Sequence, residues 1–201
     1  ASPDLTKVRV GILSPQGENQ QAKLLVPKSY FIMKPTENPV WNPTLLLVAD
    51  YEKNSDILPL IYARTFNIAS ENRMLWILLT GKTEPIQKGP DLLTAYKIIG
   101  EKHDLVNRAL EEKTGQVNVE ILAPKTPSNT PLFYQCISPN LADSPVCIGS
   151  TMVQTKQNRN LGVVYTFPRE MLPEWKILQE KIVSLVESWI VEEWPDGTPT
   201  L

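Results

Sequence analysis

Two cysteines, Cys136 and Cys147, limit what this chain can fold into more than any other feature. Each sits inside a short apolar run, Leu132 to Ser138 and Val146 to Val153, and the turn-rich stretch Pro139 to Pro145 joins the two. Apolar runs of this length bounded by Pro, Asn, Asp and Ser read as the strands of a hairpin. If the chain folds back between Leu141 and Ala142, the cysteines face each other. Facing residues of a non-hydrogen-bonded antiparallel pair approach to about 4.5 Å at Cα, near the lower end of what a disulfide spans. Such a bond would add on the order of 2–3 kcal/mol by restricting the unfolded chain, and it would imply an oxidising compartment. Two buried free thiols fit the same pattern, because cysteine is among the most buried residue types. The ten intervening residues exclude a CxxC redox pair, and a single histidine leaves a zinc site short of ligands.

The hairpin extends into a larger unit. Residues 161–167 form a third apolar run after the polar turn 156–160, which predicts a three-stranded antiparallel meander. Beyond it, Trp175, Leu178, Ile182, Leu185 and Trp189 recur at spacings of three and four, with Pro173 in the first turn. This predicts an amphipathic C-terminal helix laid on the sheet, followed by a loose tail at about 195–201. Upstream, residues 5–14 and 22–26 read as a hairpin, with Val8 and Val10 on one face of the first strand, and residues 30–33 as a broken edge strand. Residues 44–49 and 74–79 are continuously apolar and predict central, adjacent strands. The texture of residues 90–99 predicts a mid-chain helix, a weaker helical or irregular piece follows, and residues 117–121 alternate as a strand. The expected fold class is therefore α+β: a single domain over 1–201, mainly antiparallel sheet, with a mid-chain helix and a terminal helix packed on it. The chain is long and apolar enough for a sizeable core, with 42% hydrophobic residues. Its 18 prolines against 9 glycines suit a sheet with many loops better than a helical bundle.

Composition and motifs exclude more chemistry than they suggest. A net charge of −2 without a basic cluster argues against a nucleic-acid surface. No apolar run reaches the roughly 18 residues of a membrane-spanning helix. The start at Ala1-Ser-Pro-Asp, without methionine, is what a cleaved signal peptide or a truncation leaves. No glycine-rich nucleotide loop, GxSxG, HExxH or SxxK motif is present. His103 would have to serve as the base of any triad, yet it lies in a charged stretch typical of a solvated surface. The YxxxK spacing of Tyr30 and Lys34 lacks the nucleotide loop that would give it meaning. Acidic pairs such as Glu111–Glu112 and Glu192–Glu193 need a cleft to act as acid and base. Nothing here calls for a cofactor or metal, and the expectation is a binding protein and not an enzyme.

The segments Leu24 to Tyr30, Thr44 to Val48, the Cys136–Cys147 hairpin and Tyr165 to Trp175 leading into Leu185 to Trp189 together resemble small Gram-negative periplasmic immunity proteins associated with type VI secretion toxins. The resemblance covers most of the chain, and its motifs are structural. It implies an exported, periplasmic protein whose signal peptide has been removed, with room for a lipid anchor upstream of residue 1, that binds and neutralises a cognate secreted effector. Contact residues do not carry over, because the family's loops vary with the toxin. The candidates are polar, proline-bounded loops: Glu37, Asn38 and Trp41 in residues 35–43, Lys53, Asn54 and Asp56 in the next, and Lys125 and Asn129 in a third. Trp41 has a second reading, as a loop tryptophan folded onto the core. The element order also resembles, less closely, PsbP/Mog1-like exported proteins, which implies an envelope accessory or small-ligand-binding role.

Overall fold

A computed structural model describes residues 6–17, 19–33, 35–51, 56–59, 74–81, 96–109, 119–126, 132–138 and 145–195. The strands are β1 (Lys7–Leu13), β2 (Gln20–Pro27), β3 (Val40–Asn42), β4 (Thr44–Tyr51), β5 (Ile57–Pro59), β6 (Met74–Thr80), β7 (Lys97–Lys102), β8 (Leu105–Ala109), β9 (Val119–Pro124), β10 (Phe133–Ile137), β11 (Val146–Gln154), β12 (Asn160–Pro168) and β13 (Ile190–Val191). An α-helix, α1 (Trp175–Trp189), follows a 3-10 turn at Arg169–Glu174 that contains Pro173. The strands form a four-stranded sheet, β13-β2-β1-β3, and a nine-stranded antiparallel sheet, β5-β4-β6-β12-β11-β10-β9-β8-β7. β10, β11 and β12 are the expected meander, and β4 and β6 are adjacent near its centre.

Period-two alternation sorts the large sheet into two faces. Leu45, Leu47, Ala49, Leu75, Ile77, Leu79, Val163, Tyr165, Phe167, Tyr134 and Leu122 are buried and point to one side. On that side lie α1 and the small sheet, whose Val8, Val10, Ile12, Leu24 and Val26 join the same hydrophobic cluster. The helix contributes Trp175, Leu178, Ile182, Val186 and Trp189. Val186 takes the place in the buried stripe that spacing had given to Leu185, which packs at the cluster's margin.

The sheet curls around this helix. Asp56, beside β5, accepts from Lys181 at 3.2 Å, and Asp104, in the turn between β7 and β8, accepts from Lys176 at 2.8 Å. Laid flat, strands that far apart in the order would be separated by roughly 33–38 Å. Lys176 and Lys181 are only about 7.5 Å apart along the helix axis, so the two ends of the sheet must bend toward each other.

The described part of the mid-chain helix expected over 90–99 is not helical. Residues 97–99 belong to β7, the weaker piece after it is β8, and residues 90–95 lie outside the described residues. Three forces favour the hairpin. Ile98 and Ile99 are β-branched, and Leu105, Asn107 and Ala109 alternate inward. His103 and Asp104 both take positive φ, 52° and 63°, making the two-residue turn that a tight hairpin requires. That turn is pinned from outside. Trp175 Nε1 donates to the His103 carbonyl at 2.7 Å, and the Lys125 amide donates to the Asp104 carbonyl at 3.0 Å.

Candidate partner-binding surface

The cysteines pair as the hairpin geometry allowed. Cys136 and Cys147 are register partners and form a disulfide with a Cα–Cα separation of 4.1 Å, and both are fully buried. The bond faces the core, close to the rings of Tyr134 and Phe167, which meet edge to face at 5.8 Å. Beside it runs a buried polar chain: the Tyr134 and Tyr165 hydroxyls share a hydrogen bond at 3.0 Å, Tyr165 donates to Gln179 Oε1 at 2.5 Å, and Gln179 Nε2 donates to Thr151 Oγ1 at 3.1 Å. It ties α1 to the meander. Gly149 makes room for it, since a Cβ there would lie 2.5 Å from the Tyr165 ring. Burial, the largest effect, pushes both phenols above the usual tyrosine range.

The sequence-named loop residues fall into distinct settings. Asn38 is held by Arg9, whose backbone amide and Nε both donate to Asn38 Oδ1 at 3.1 Å. Trp41 lies in β3 with its indole over Gly11 and edge-on to Trp194 at 5.2 Å, the packed alternative for a loop tryptophan. Glu37 is exposed. Asp56 keeps its side chain 90% exposed while paired with Lys181. Lys125 pairs with Glu101 at 2.7 Å on the surface, and that contact raises its already high pKa. Lys53, Asn54 and Asn129 lie outside the described residues.

A feature absent from that expectation is a set of exposed apolar side chains on and near β4. An isolated bridge pairs Phe31 with Leu47, and Ile32 and Met33 after it are exposed. Leu46 and Trp76 lie diagonally on the outward face of β4 and β6, and Leu58, opposite Asp50, faces the same way from β5. Of ten large apolar side chains exposed among the described residues, five lie on β4, β5, β6 or the segment 31–33, namely Ile32, Met33, Leu46, Leu58 and Trp76, while Val48 and Asp50 on the outward face of β4 are buried. Met33 is 82% exposed. The hydrophobic strands 44–49 and 74–79 carried part of this signal, but their continuous apolar pattern reads as burial on both faces.

Catalytic geometry does not assemble among the described residues. His103 and Glu170 both line an open hollow of about 310 Å³, together with Lys102, Pro145, Arg169, Leu172 and Pro173. That lining offers no hydroxyl or thiol for His103 to deprotonate. Arg169 is already committed to Glu120 and to the Ile137 carbonyl at 2.9 Å. Tyr30 is buried and donates to the Ile57 carbonyl at 3.3 Å, Glu193 binds Lys23, and Glu111 and Glu112 lie outside the described residues. No group of three His, Cys, Asp or Glu residues able to hold a metal occurs among the described residues. No described helix is long and apolar enough to cross a membrane.

No family model and no curated protein matches this sequence. Among solved structures, the chain shares its fold with an immunity protein of the Stenotrophomonas maltophilia type IV secretion system. The match covers 96% of both chains with a TM-score of 0.61 at 12% sequence identity. At this identity the likeness is one of fold, and it runs over nearly the whole of both chains.

Proposed function

We propose that this protein is an immunity protein that binds a cognate secreted antibacterial toxin and neutralises it by covering or distorting its active site. The observation that carries this reading is the fold held in common, over nearly the whole of both chains, with a secretion-system immunity protein. The function needs a rigid scaffold and a recognition surface, and no bond-making group. A core threaded by one disulfide and a buried tyrosine–glutamine–threonine chain suits the first requirement. Exposed apolar residues bordered by polar loops suit the second.

The finer assignment is protection in the periplasm against a type VI effector. The disulfide favours an oxidising compartment, and the type VI route rests on the sequence resemblance. The structural neighbour belongs to a type IV system, so the effector that this protein neutralises decides between the two routes. Of the proposed contact loops, residues 35–43 follow Met33 in the chain, and the loop ending at Asp56 leads directly into β5. The test is rescue: each effector encoded beside this gene is exported to the periplasm of a sensitive strain with and without this protein. Survival restored against one effector, with the complex recovered at nanomolar affinity, is the expected result. Killing by every effector in the presence of well-folded protein would reject the reading.

A further inference from the structure

We infer that the hollow between α1 and the ends of β9, β10 and β11 receives basic side chains of the toxin, their aliphatic stems on its apolar floor and their charges at Glu180 and Glu187. This rests on the immunity reading above and adds to it the place and the chemistry of contact.

The hollow follows from how the curled sheet is filled. The small sheet packs over β4, β6 and β12, whereas β11 is met by α1. Where the helix flank faces the end of β9, the start of β10 and the end of β11, a space of about 450 Å³ stays open. Leu132, Val153, Trp175 and Val183 line it, Val153 and Trp175 buried and the other two half-buried. The helix is held from closing over this space. Gln179, which also lines it, is tied to Tyr165 and Thr151, and Trp175 Nε1 is tied to the His103 carbonyl. A recess fixed in this way costs a partner little ordering when it binds.

The charge on the lining selects the occupant. Its ionisable side chains are Lys176, Glu180 and Glu187. Lys176 is already neutralised, donating to Asp104 at 2.8 Å with its ammonium 5.5 Å from the Trp175 ring. Glu180 and Glu187 are exposed and carry no side-chain hydrogen bond or ion pair among the described residues. Seven residues apart, they share one side of the helix about 10 Å from each other along its axis, with Val183 between them. Two unpaired carboxylates above an apolar floor match arginine or lysine, whose stems cover apolar surface while the charged heads reach acidic groups. A two-fold contact through this flank would set the same glutamates against their own copies, in a chain of net charge −2.

The experiment uses the full chain and the purified, catalytically inactivated product of each adjacent effector gene, with binding measured by calorimetry at low and high salt. Glu180→Lys/Glu187→Lys is expected to raise the Kd about thirtyfold or more. Glu180→Gln/Glu187→Gln should weaken binding at low salt and flatten its salt dependence. Gln154→Trp, at an exposed position of the lining, plugs the hollow without changing its charge and should raise the Kd about tenfold. Glu170→Lys, the same charge reversal at an exposed residue outside the hollow, should leave binding unchanged. Glutamate variants that bind a captured effector as tightly as wild type overturn this inference and leave the immunity reading standing, whatever Gln154→Trp does. Wild-type protein that elutes as a dimer, dispersed by Glu180→Lys/Glu187→Lys, gives the hollow to a second copy and also overturns it. Wild-type protein that binds no effector overturns both.

Discussion

Gly11 lacks a side chain where Trp41 needs the space. A Cβ built on Gly11 would lie 2.1 Å from the indole, which continues through Trp194 to Lys23, whose ammonium sits 5.6 Å from the Trp194 ring. Gly11→Ala should therefore destabilise the protein by about 1–3 kcal/mol, and by much less in a Trp41→Ala background; urea titration of the four-member cycle checks it. The Arg169–Glu120 pair is largely shielded from solvent. Glu120→Ala, which strands a buried guanidinium, should cost about 3 kcal/mol in the same assay. The tyrosines set a pH response. Burial pushes Tyr30 up to about 12, and Tyr134 and Tyr165 move in the same direction. Each is harder to ionise folded than unfolded, so its contribution is complete below the unfolded value near 10 and is lost as pH rises through the folded one. Stability should then fall steadily from pH 10 toward 12. Phenolate absorbance from these three should appear together with loss of ellipticity, and a separate, earlier titration would contradict the buried network.

At the scale of elements, the meander and α1 were legible because their signals are local. Turn residues bound the strands, and a three-four spacing marks the helix. Hairpin arithmetic set the two cysteines face to face and left open whether they bond; the structure shows the disulfide. Replacing both cysteines with alanine should lower stability by on the order of 2–3 kcal/mol while preserving the register, and thiol-reactive dye should find no free sulfhydryl in the native protein before reduction. The β7–β8 hairpin was misread as helical because its decisive contacts are distant. Trp175 and Lys176, some seventy residues away, hold the His103–Asp104 turn. Trp175→Phe keeps the ring and removes the donor to the His103 carbonyl. It should cost about 1 kcal/mol, with amide exchange accelerating in β8 more than in β11.

For the whole molecule, one hydrophobic cluster runs through both sheets and the helix. Tryptophan fluorescence and far-UV ellipticity should therefore report a single coincident unfolding transition. Two separated transitions would divide the chain into independent units. The outward face of β4, β5 and β6 keeps Leu46, Leu58 and Trp76 exposed. Of the loop residues named from sequence, Trp41 packs inward over Gly11 and against Trp194, and Asn38 is held at the surface by Arg9. Glu37 stayed in solvent, and Asp56 did so while paired with Lys181. Polarity and proline mark a loop, but they do not say which way its side chains point.

What the sequence determined by itself were the features fixed within about fifteen residues: the cysteine hairpin, the strand alternation, the amphipathic terminal helix and the lack of any catalytic motif. The tertiary structure alone decided that residues 97–109 pair as strands, that Trp41 fills the space above a glycine, and that Leu46, Leu58 and Trp76 stay exposed on the outward face of the large sheet. The division is physical. Backbone turns and side-chain periodicity are short-range, whereas burial depends on which distant surface arrives to displace the water.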